Sequence, residues 1–247
     1  MCLASGPIAH LPLPADAQPE LRQQLVAVAR RMNSSGINQG TSGNLSARIP
    51  GGLLITPTSL PYEQMEPEDL VAIDFGGNPM DNPTGHPKGH HSSPRRPSSE
   101  WQLHAEILRS RPEIEAVLHC HSIHATALAC HGRPIPSFHY MVAMAGTATI
   151  PCAPYSTFGT KALSLDAVRA LEGKLACLLA QHGQVALGRN LDQALRLAIE
   201  VETLAHMYLQ ALTLGEPPLL DAAEMERVIA LMGSMHYGQA ADRPGQS

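Results

Sequence analysis

From Asn190, with Gln193 three residues on, the side chains Leu191, Leu195, Ala198, Val201, Ala205, Tyr208 and Leu212 fall on one stripe of a helix about six turns long. An apolar face of that length must be buried against another layer of structure. The material for that layer is a set of short apolar runs bounded by turn signals, at 53–55, 71–75, 116–121, 175–180 and 185–187. Before the first of these, Leu45, Ala47 and Ile49 alternate with polar residues ahead of Gly51-Gly52, which predicts a β-hairpin. Other helices are predicted over 20–33, where Leu21, Leu25, Val28 and Met32 are helically spaced and Gly36 ends the run, and from Glu100 and Trp101 to Arg111-Pro112, with Ser98 or Ser99 as cap. Further helices are expected over 122–129, over 164–171, and after Asp221 and Glu224. Prolines and Gly146 break 135–154 into short strands. Strands occur in runs as well as alternating with helices, and no repeat is present. The expectation is a single α+β domain, α/β/α layered around a mixed, mainly antiparallel sheet, over 19–238, with a loosely held arm at 1–18 and a tail at 239–247. Residues 79–97 hold five prolines without periodicity and read as a long surface loop, so His90-His91 is taken as solvated rather than metal-binding.

With 247 residues, 44% of them hydrophobic, the chain can bury its own core. Lys+Arg 17 against Asp+Glu 22 gives a net charge of −5, which argues against nucleic acid as a partner. No run approaches the ~20 apolar residues that span a bilayer, and no basic segment precedes an apolar one at the N-terminus, so a soluble cytoplasmic protein is expected. Cys2, Cys120, Cys130, Cys152 and Cys177 are odd in number and lack any C-x-x-C spacing, which fits reduced, mostly buried thiols.

Histidine is the unusual residue here: thirteen of them outnumber Phe (3), Trp (1) and Tyr (5) combined. His119 and His121 stand two apart in a predicted strand, so both project from one face. His182 sits in a Gly-flanked turn after another strand, and three His around an open position is a catalytic zinc arrangement. A partly buried structural His pair is the competing interpretation of H-x-H alone. Glu100, at a helix N-terminus after two serines, reads either as a first-turn residue that stabilises the dipole or as part of a site. Three turns rich in hydroxyls and backbone N–H groups, at 40–44, 56–59 and 98–99, are suited to an anion such as phosphate.

The strings N-Q-G-T-S-G-N-L-S-A-R (38–48), L-I-T-P-T-S-L-P-Y-E (54–63), P-S-S-E-W (97–101), H-C-H (119–121), H-Y-M-V-A-M-A-G (139–146), I-P-C-A-P-Y-S-T-F-G-T (150–160) and Q-H-G (181–183) follow one another in the order of the class II aldolase/adducin family, which the chain resembles from about residue 20 to 238. That resemblance implies His119, His121 and His182 as ligands of one Zn²⁺ per subunit, and Glu100 as the acid/base carboxylate. It further implies phosphate binding by Thr41, Asn44, Thr58, Ser59, Ser98 and Ser99, a catalytic Tyr140 that handles the proton of the aldehyde oxygen, and Tyr237 as a residue that closes the site. The implied reaction is reversible aldol cleavage of a ketose 1-phosphate, such as L-fuculose 1-phosphate, to dihydroxyacetone phosphate and a small aldehyde. Family chemistries kept as alternatives are aldol cleavage of methylthioribulose or deoxyribulose 1-phosphate, decarboxylation of a sugar-acid phosphate, and 4-epimerisation of ribulose phosphate. An adducin-like binding module is the non-enzymatic alternative, which the complete His set argues against. The resemblance also implies a homotetramer with interfacial active sites, and the apolar, Met-containing segment 139–145 is compatible with such a contact. Ser59 stands where the aldolases of this family carry Gly, and the 81–96 loop is longer than theirs.

Overall fold

In the computed structural model residues 18–80 and 95–235 are described, so residues 1–17 of the arm expected at 1–18, His90, His91, Tyr237 and the 239–247 tail lie outside the described residues, and Gln18 belongs to a helix rather than to the arm. Among the described residues seven strands form one sheet in the order β3-β2-β1-β4-β7-β6-β5. They are β1 (Asn44–Ile49), β2 (Gly52–Ile55), β3 (Val71–Asp74), β4 (Ala116–Cys120), β5 (Cys152–Ala153), β6 (Ala176–Leu179) and β7 (Gly183–Gly188). Every neighbouring pair is antiparallel except β5 and β6, so the sheet is mixed and mainly antiparallel, as the pattern predicted.

The helices are α1 (Gln18–Ser34), α2 (Trp101–Ser110), α3 (Ile123–Cys130), α4 (Lys161–Ala170), α5 (Leu191–Leu212) and α6 (Ala222–Ser234). Leu25 of α1, Leu128 of α3 and Leu195 of α5 share one core with Leu45, Leu118 and Ala186 of the sheet. Leu103 and Ile107 of α2 and Leu163 of α4 share the opposite core with Leu53, Val117, Val185 and Leu187. Val117 and Leu118 are adjacent in sequence yet belong to different cores, because strand side chains alternate between faces. With both faces covered, the central strand β4 is buried at all five positions, which is why it reads as a continuous apolar run. The long α5 is capped as predicted: Asn190 accepts the Gln193 N–H at 2.8 Å, and the Gln193 side chain accepts the Arg189 N–H at 3.1 Å.

Three expectations need correction. Segment 135–154 is not a set of short strands: residues Tyr140–Ala145 form a 3-10 helix, and only β5 and an isolated Ile135–Ile150 bridge are extended. The His139 side chain accepts the Met141 N–H at the start of that helix and Gly146 closes it in the left-handed region, local capping that a search for alternation overlooks. Helix α4 starts at Lys161, because the Thr160 hydroxyl caps it by accepting the Leu163 N–H at 3.3 Å. The thiols are only partly buried as a set: Cys120 and Cys177 are buried and Cys152 is half-buried, but Cys130 is exposed at the end of α3, and all four are free. Burial pushes the Cys120 thiol up to about 12 and that of Cys152 to about 11, so neither is a nucleophile at neutral pH. Among the described residues no helix is long and apolar enough to cross a membrane.

Candidate active site

β4 carries His119 at the middle of the sheet, opposite Asn44 of β1 on one side and Val185 of β7 on the other. Because Cys120 pairs with Gln184 across β4 and β7, His121 just past one strand and His182 just before the next arrive at the same sheet end. The three imidazoles form a nearly regular triangle, with ring centroids 4.7 to 4.9 Å apart. Their ligand atoms lie within 4.8 Å of one another, the His119 and His121 Nε2 atoms being 3.1 Å apart.

Backbone constraints hold this triangle. A Cβ at Gly183 would lie 2.5 Å from the Cys120 carbonyl oxygen and 2.9 Å from the His121 ring, so only glycine lets β7 approach here. A Cβ at Gly43 would lie 2.7 Å from the His119 carbonyl oxygen, so the 40–44 turn also passes close to β4. The buried Tyr62 hydroxyl donates to the Gly43 carbonyl and fixes that turn from behind. Gln181 sits at φ +50, a conformation that disfavours side chains, and is held there by its N–H to the Ala129 carbonyl (3.0 Å) and its amide to the Cys130 carbonyl (3.2 Å). Those are last-turn carbonyls of α3, so α3 positions the turn that presents His182.

Glu100 approaches the triangle from α2. Its backbone is the helix N-cap, but its side chain makes no capping bond, which corrects the view of it as a dipole-stabilising first-turn residue. The carboxylate instead places Oε2 3.3 Å from His119 Nε2 and Oε1 3.3 Å from His182 Nε2. It is 5% exposed. Burial alone would raise its pKa, but the charge that His119 and His182 carry when protonated and the Asn44 amide outweigh that and leave it below the usual carboxylate range. Burial and the neighbouring imidazole of His119 push His182 down to about 4, and burial chiefly lowers His119 and His121 as well. All three rings are therefore neutral at pH 7.

The donor set fits a cation. The His119 ring nitrogen Nδ1 lies 2.9 Å from the Gln184 carbonyl, which can only accept, so Nδ1 carries the hydrogen and the Nε2 lone pair faces inward. That lone pair meets His121 Nε2 and a carboxylate, while Glu100 Oε1 is buried without a hydrogen-bond partner. Converging lone pairs and an orphaned carboxylate oxygen are mutually repulsive unless a positive charge sits among them.

A cavity of about 330 Å³ opens onto this group, lined in part by Glu100, His121, His182, Ser42, Ser99 and the exposed Phe158. The three hydroxyl-rich turns are knitted together beside it. Thr56 Oγ1 accepts the Leu45 N–H at 3.2 Å, and the Ser98 N–H donates to the Thr56 carbonyl at 3.0 Å. Thr41, Thr58, Ser59 and Ser99 are exposed, whereas Ser98 is 6% exposed and accepts the Glu100 N–H at 3.3 Å. Ser59 adopts φ +59, the left-handed region that favours glycine. The Asn44 side chain is spent inside the protein, on Glu100 at 2.9 Å and His104 at 2.5 Å. Tyr140 does not line the cavity: it stands 48% exposed on the 3-10 helix, its ring 4.8 Å from that of His139. Sequence reasoning missed His104, although its position one turn after Glu100 on the same helix face was a usable signal.

In this α/β/α fold three neutral imidazoles converge beside a buried carboxylate, a group that could hold a metal ion next to an acid/base residue. Residues 23–209 match the family described as Class II Aldolase and Adducin N-terminal domain. The chain is 48% identical to 5-methylthioribulose-1-phosphate/5-deoxyribulose-1-phosphate aldolase of Rhodospirillum rubrum, over 91% of this chain and 95% of that protein. It is 45% identical to L-fuculose phosphate aldolase of Haemophilus influenzae, over 89% and 95%. A solved L-fuculose 1-phosphate aldolase superposes with a TM-score of 0.80 at 34% identity, covering 87% of this chain and 96% of that one. The chain belongs to the class II aldolase and adducin family, and within it is a class II aldolase.

Proposed function

We propose that the chain is a zinc-dependent, cytoplasmic aldolase that reversibly joins dihydroxyacetone phosphate to a short aldehyde, giving a ketose 1-phosphate. The observation that carries this reading is the buried Glu100 carboxylate set against three neutral imidazoles at the floor of the cavity. His119, His121 and His182 would hold the zinc, whose chemistry when bound is to stabilise negative charge developing on substrate oxygens. Glu100, kept ionised, removes a proton from C3 of dihydroxyacetone phosphate. The electron pair released at C3 forms the bond to the aldehyde carbon, and Tyr140 donates a proton to the aldehyde oxygen as it becomes the C4 hydroxyl. Cleavage runs the same steps backwards. The phosphate would sit on the turns carrying Thr41, Thr58, Ser59, Ser98 and Ser99, with Asn44 behind them, and so fix C3 against Glu100. Tyr237 would close the site.

The substrate class we favour is ketose 1-phosphates whose far end is deoxygenated. The relatives named for 5-methylthioribulose, 5-deoxyribulose and L-fuculose phosphates share that feature, and the exposed Tyr155 and Phe158 rings line the cavity here. A coupled assay for dihydroxyacetone phosphate, run on these three 1-phosphates and on the unphosphorylated ketoses, tests the reading. Release is expected from the phosphates, with kcat/KM at least ~10²-fold lower without phosphate, since remote binding energy positions the reacting carbons. Equal kcat/KM with and without phosphate would remove the hydroxyl-rich turns from the site.

Tyr140 lies away from its own chain's cavity, which supports a homotetramer in which it reaches the site of a neighbour. Mixing inactive Tyr140→Phe with inactive Glu100→Gln, then dissociating and reassembling, should restore activity at those sites that regain both groups. No recovery in verified mixed oligomers would return Tyr140 to its own subunit.

A further inference from the structure

Behind Glu100, away from the cavity, runs a chain of buried polar groups of which two, Ser46 and His104, have no part in the reaction scheme. Ser46 Oγ lies 2.7 Å from His104 Nδ1, His104 Nε2 lies 2.5 Å from Asn44 Oδ1, and Asn44 Nδ2 lies 2.9 Å from Glu100 Oε2. Ser46 and His104 are fully buried, and Asn44 and Glu100 are 3% and 5% exposed. Polar groups in so dry a place are expensive unless each is satisfied, so the directions of these bonds are determined from their ends.

The ionised Glu100 only accepts, so the amide must turn its NH₂ toward the carboxylate and its oxygen toward the ring. That oxygen also only accepts, so His104 must carry its hydrogen on Nε2. Its Nδ1 is then an acceptor and takes the Ser46 hydroxyl proton. One tautomer of one ring therefore decides which way the Asn44 amide faces. With the ring in the other tautomer, Nε2 would accept from the NH₂ and the amide oxygen would be aimed at Glu100, an acceptor against an acceptor. Burial drives the His104 pKa down to about 3, so the ring stays neutral and able to hold a single tautomer across the working range of pH.

We propose that His104 is a positioning residue for catalysis: donating from Nε2 while the Ser46 hydroxyl satisfies its Nδ1, it locks the Asn44 amide so that the amide holds the Glu100 carboxylate in place against the reacting carbon. The inference rests on Glu100 being the acid/base group, and the test separates the two claims. His104→Leu is expected to lower kcat roughly 10–100-fold, the range for losing a partner that orients a functional group. KM should change less than about threefold and metal content should stay at the wild-type level. His104→Gln, whose amide can donate where Nε2–H did, should recover most of kcat.

In a Glu100→Gln background the same His104→Leu change should have little further effect, because its loss passes through the carboxylate. Equal multiplication of the two losses, a loss carried by KM or metal content, or unchanged kcat in His104→Leu would each overturn the positioning role. Wild-type turnover in Glu100→Gln overturns the acid/base reading itself, and the positioning role with it, whereas a dead Glu100→Gln with an unaffected His104→Leu overturns the positioning role alone. Should His104→Leu not fold, ¹⁵N NMR of the wild-type histidine rings decides the matter with and without metal. An Nε2–H tautomer for His104 in both states is the expected result, and an Nδ1–H tautomer overturns the proposal.

Discussion

Treating the purified protein with a chelator, then removing the chelator, is expected to lower the aldol cleavage rate by ~10³-fold or more, and one equivalent of zinc per chain should restore it. The size follows from the several kcal/mol of charge stabilisation that a Lewis acid contributes, at about 1.4 kcal/mol per factor of ten. His182→Ala should reproduce the loss with the fold retained, because it removes one of three ligands and leaves a site that two imidazoles cannot close. The pH dependence has a definite sign. His182 is pushed down to about 4 and burial lowers His119 and His121, so protons compete for the ligand nitrogens less than they would for unperturbed histidines near 6.5. Metal should therefore persist below pH 6.5 and be released as pH falls toward the His182 value of about 4.

The metal-free protein tests the same groups without the ion. Between about pH 6.5 and 4 the unfolded chain binds protons on His182 and His104 that the folded chain refuses, so stability rises with pH through that window and is lost as pH falls. A thermal melting series on metal-free protein should show Tm dropping below pH 6.5. A flat Tm from pH 7.5 to 4.5 would mean that these rings are not buried as neutral species.

Much of this was legible in the sequence because periodicity reports burial. The α5 stripe and the spacing of His119 and His121 follow from repeats of 3.6 and 2 residues, and the continuous apolar run of β4 follows from burial on both faces. His182 was legible for another reason: it sits in a Gly-flanked turn after an apolar strand, and the structure adds that Gly183 is where β7 passes close to β4. What was not legible depends on contacts between elements far apart in sequence. The alternation in β1 gives no hint that its polar face is covered by α2, so that Ser46 meets His104 and the Arg48 guanidinium satisfies carbonyls at Leu108, Arg111 and Ile114. The same crossing turns Glu100 inward, and a dipole argument applied to one helix end cannot foresee that. Segment Tyr140–Ala145 was misread because its fold is set by local caps rather than by a period.

Glu100→Gln is the substitution from which the mechanism has most to lose. The amide is nearly the same size, and its oxygen can still accept from Asn44 Nδ2, now 2.9 Å from Oε2. Fold and metal content should therefore stay at wild-type levels. An amide cannot take a proton from C3, and proton transfer by a positioned group contributes ~10²–10⁴-fold, so kcat should fall by that factor with KM little changed. The half-reaction isolates the step. Wild-type protein should exchange the C3 hydrogen of dihydroxyacetone phosphate with deuterium from solvent when no aldehyde is present, and Glu100→Gln should not, whereas Tyr140→Phe should still exchange because the aldehyde oxygen is not involved. Near wild-type exchange in Glu100→Gln would move the base elsewhere, and a rise in KM with kcat intact would make Glu100 a binding group. The buried setting sharpens the contrast: with 5% exposure, little water can reach the reacting carbon from the side that Glu100 occupies, so solvent cannot readily substitute for the lost carboxylate.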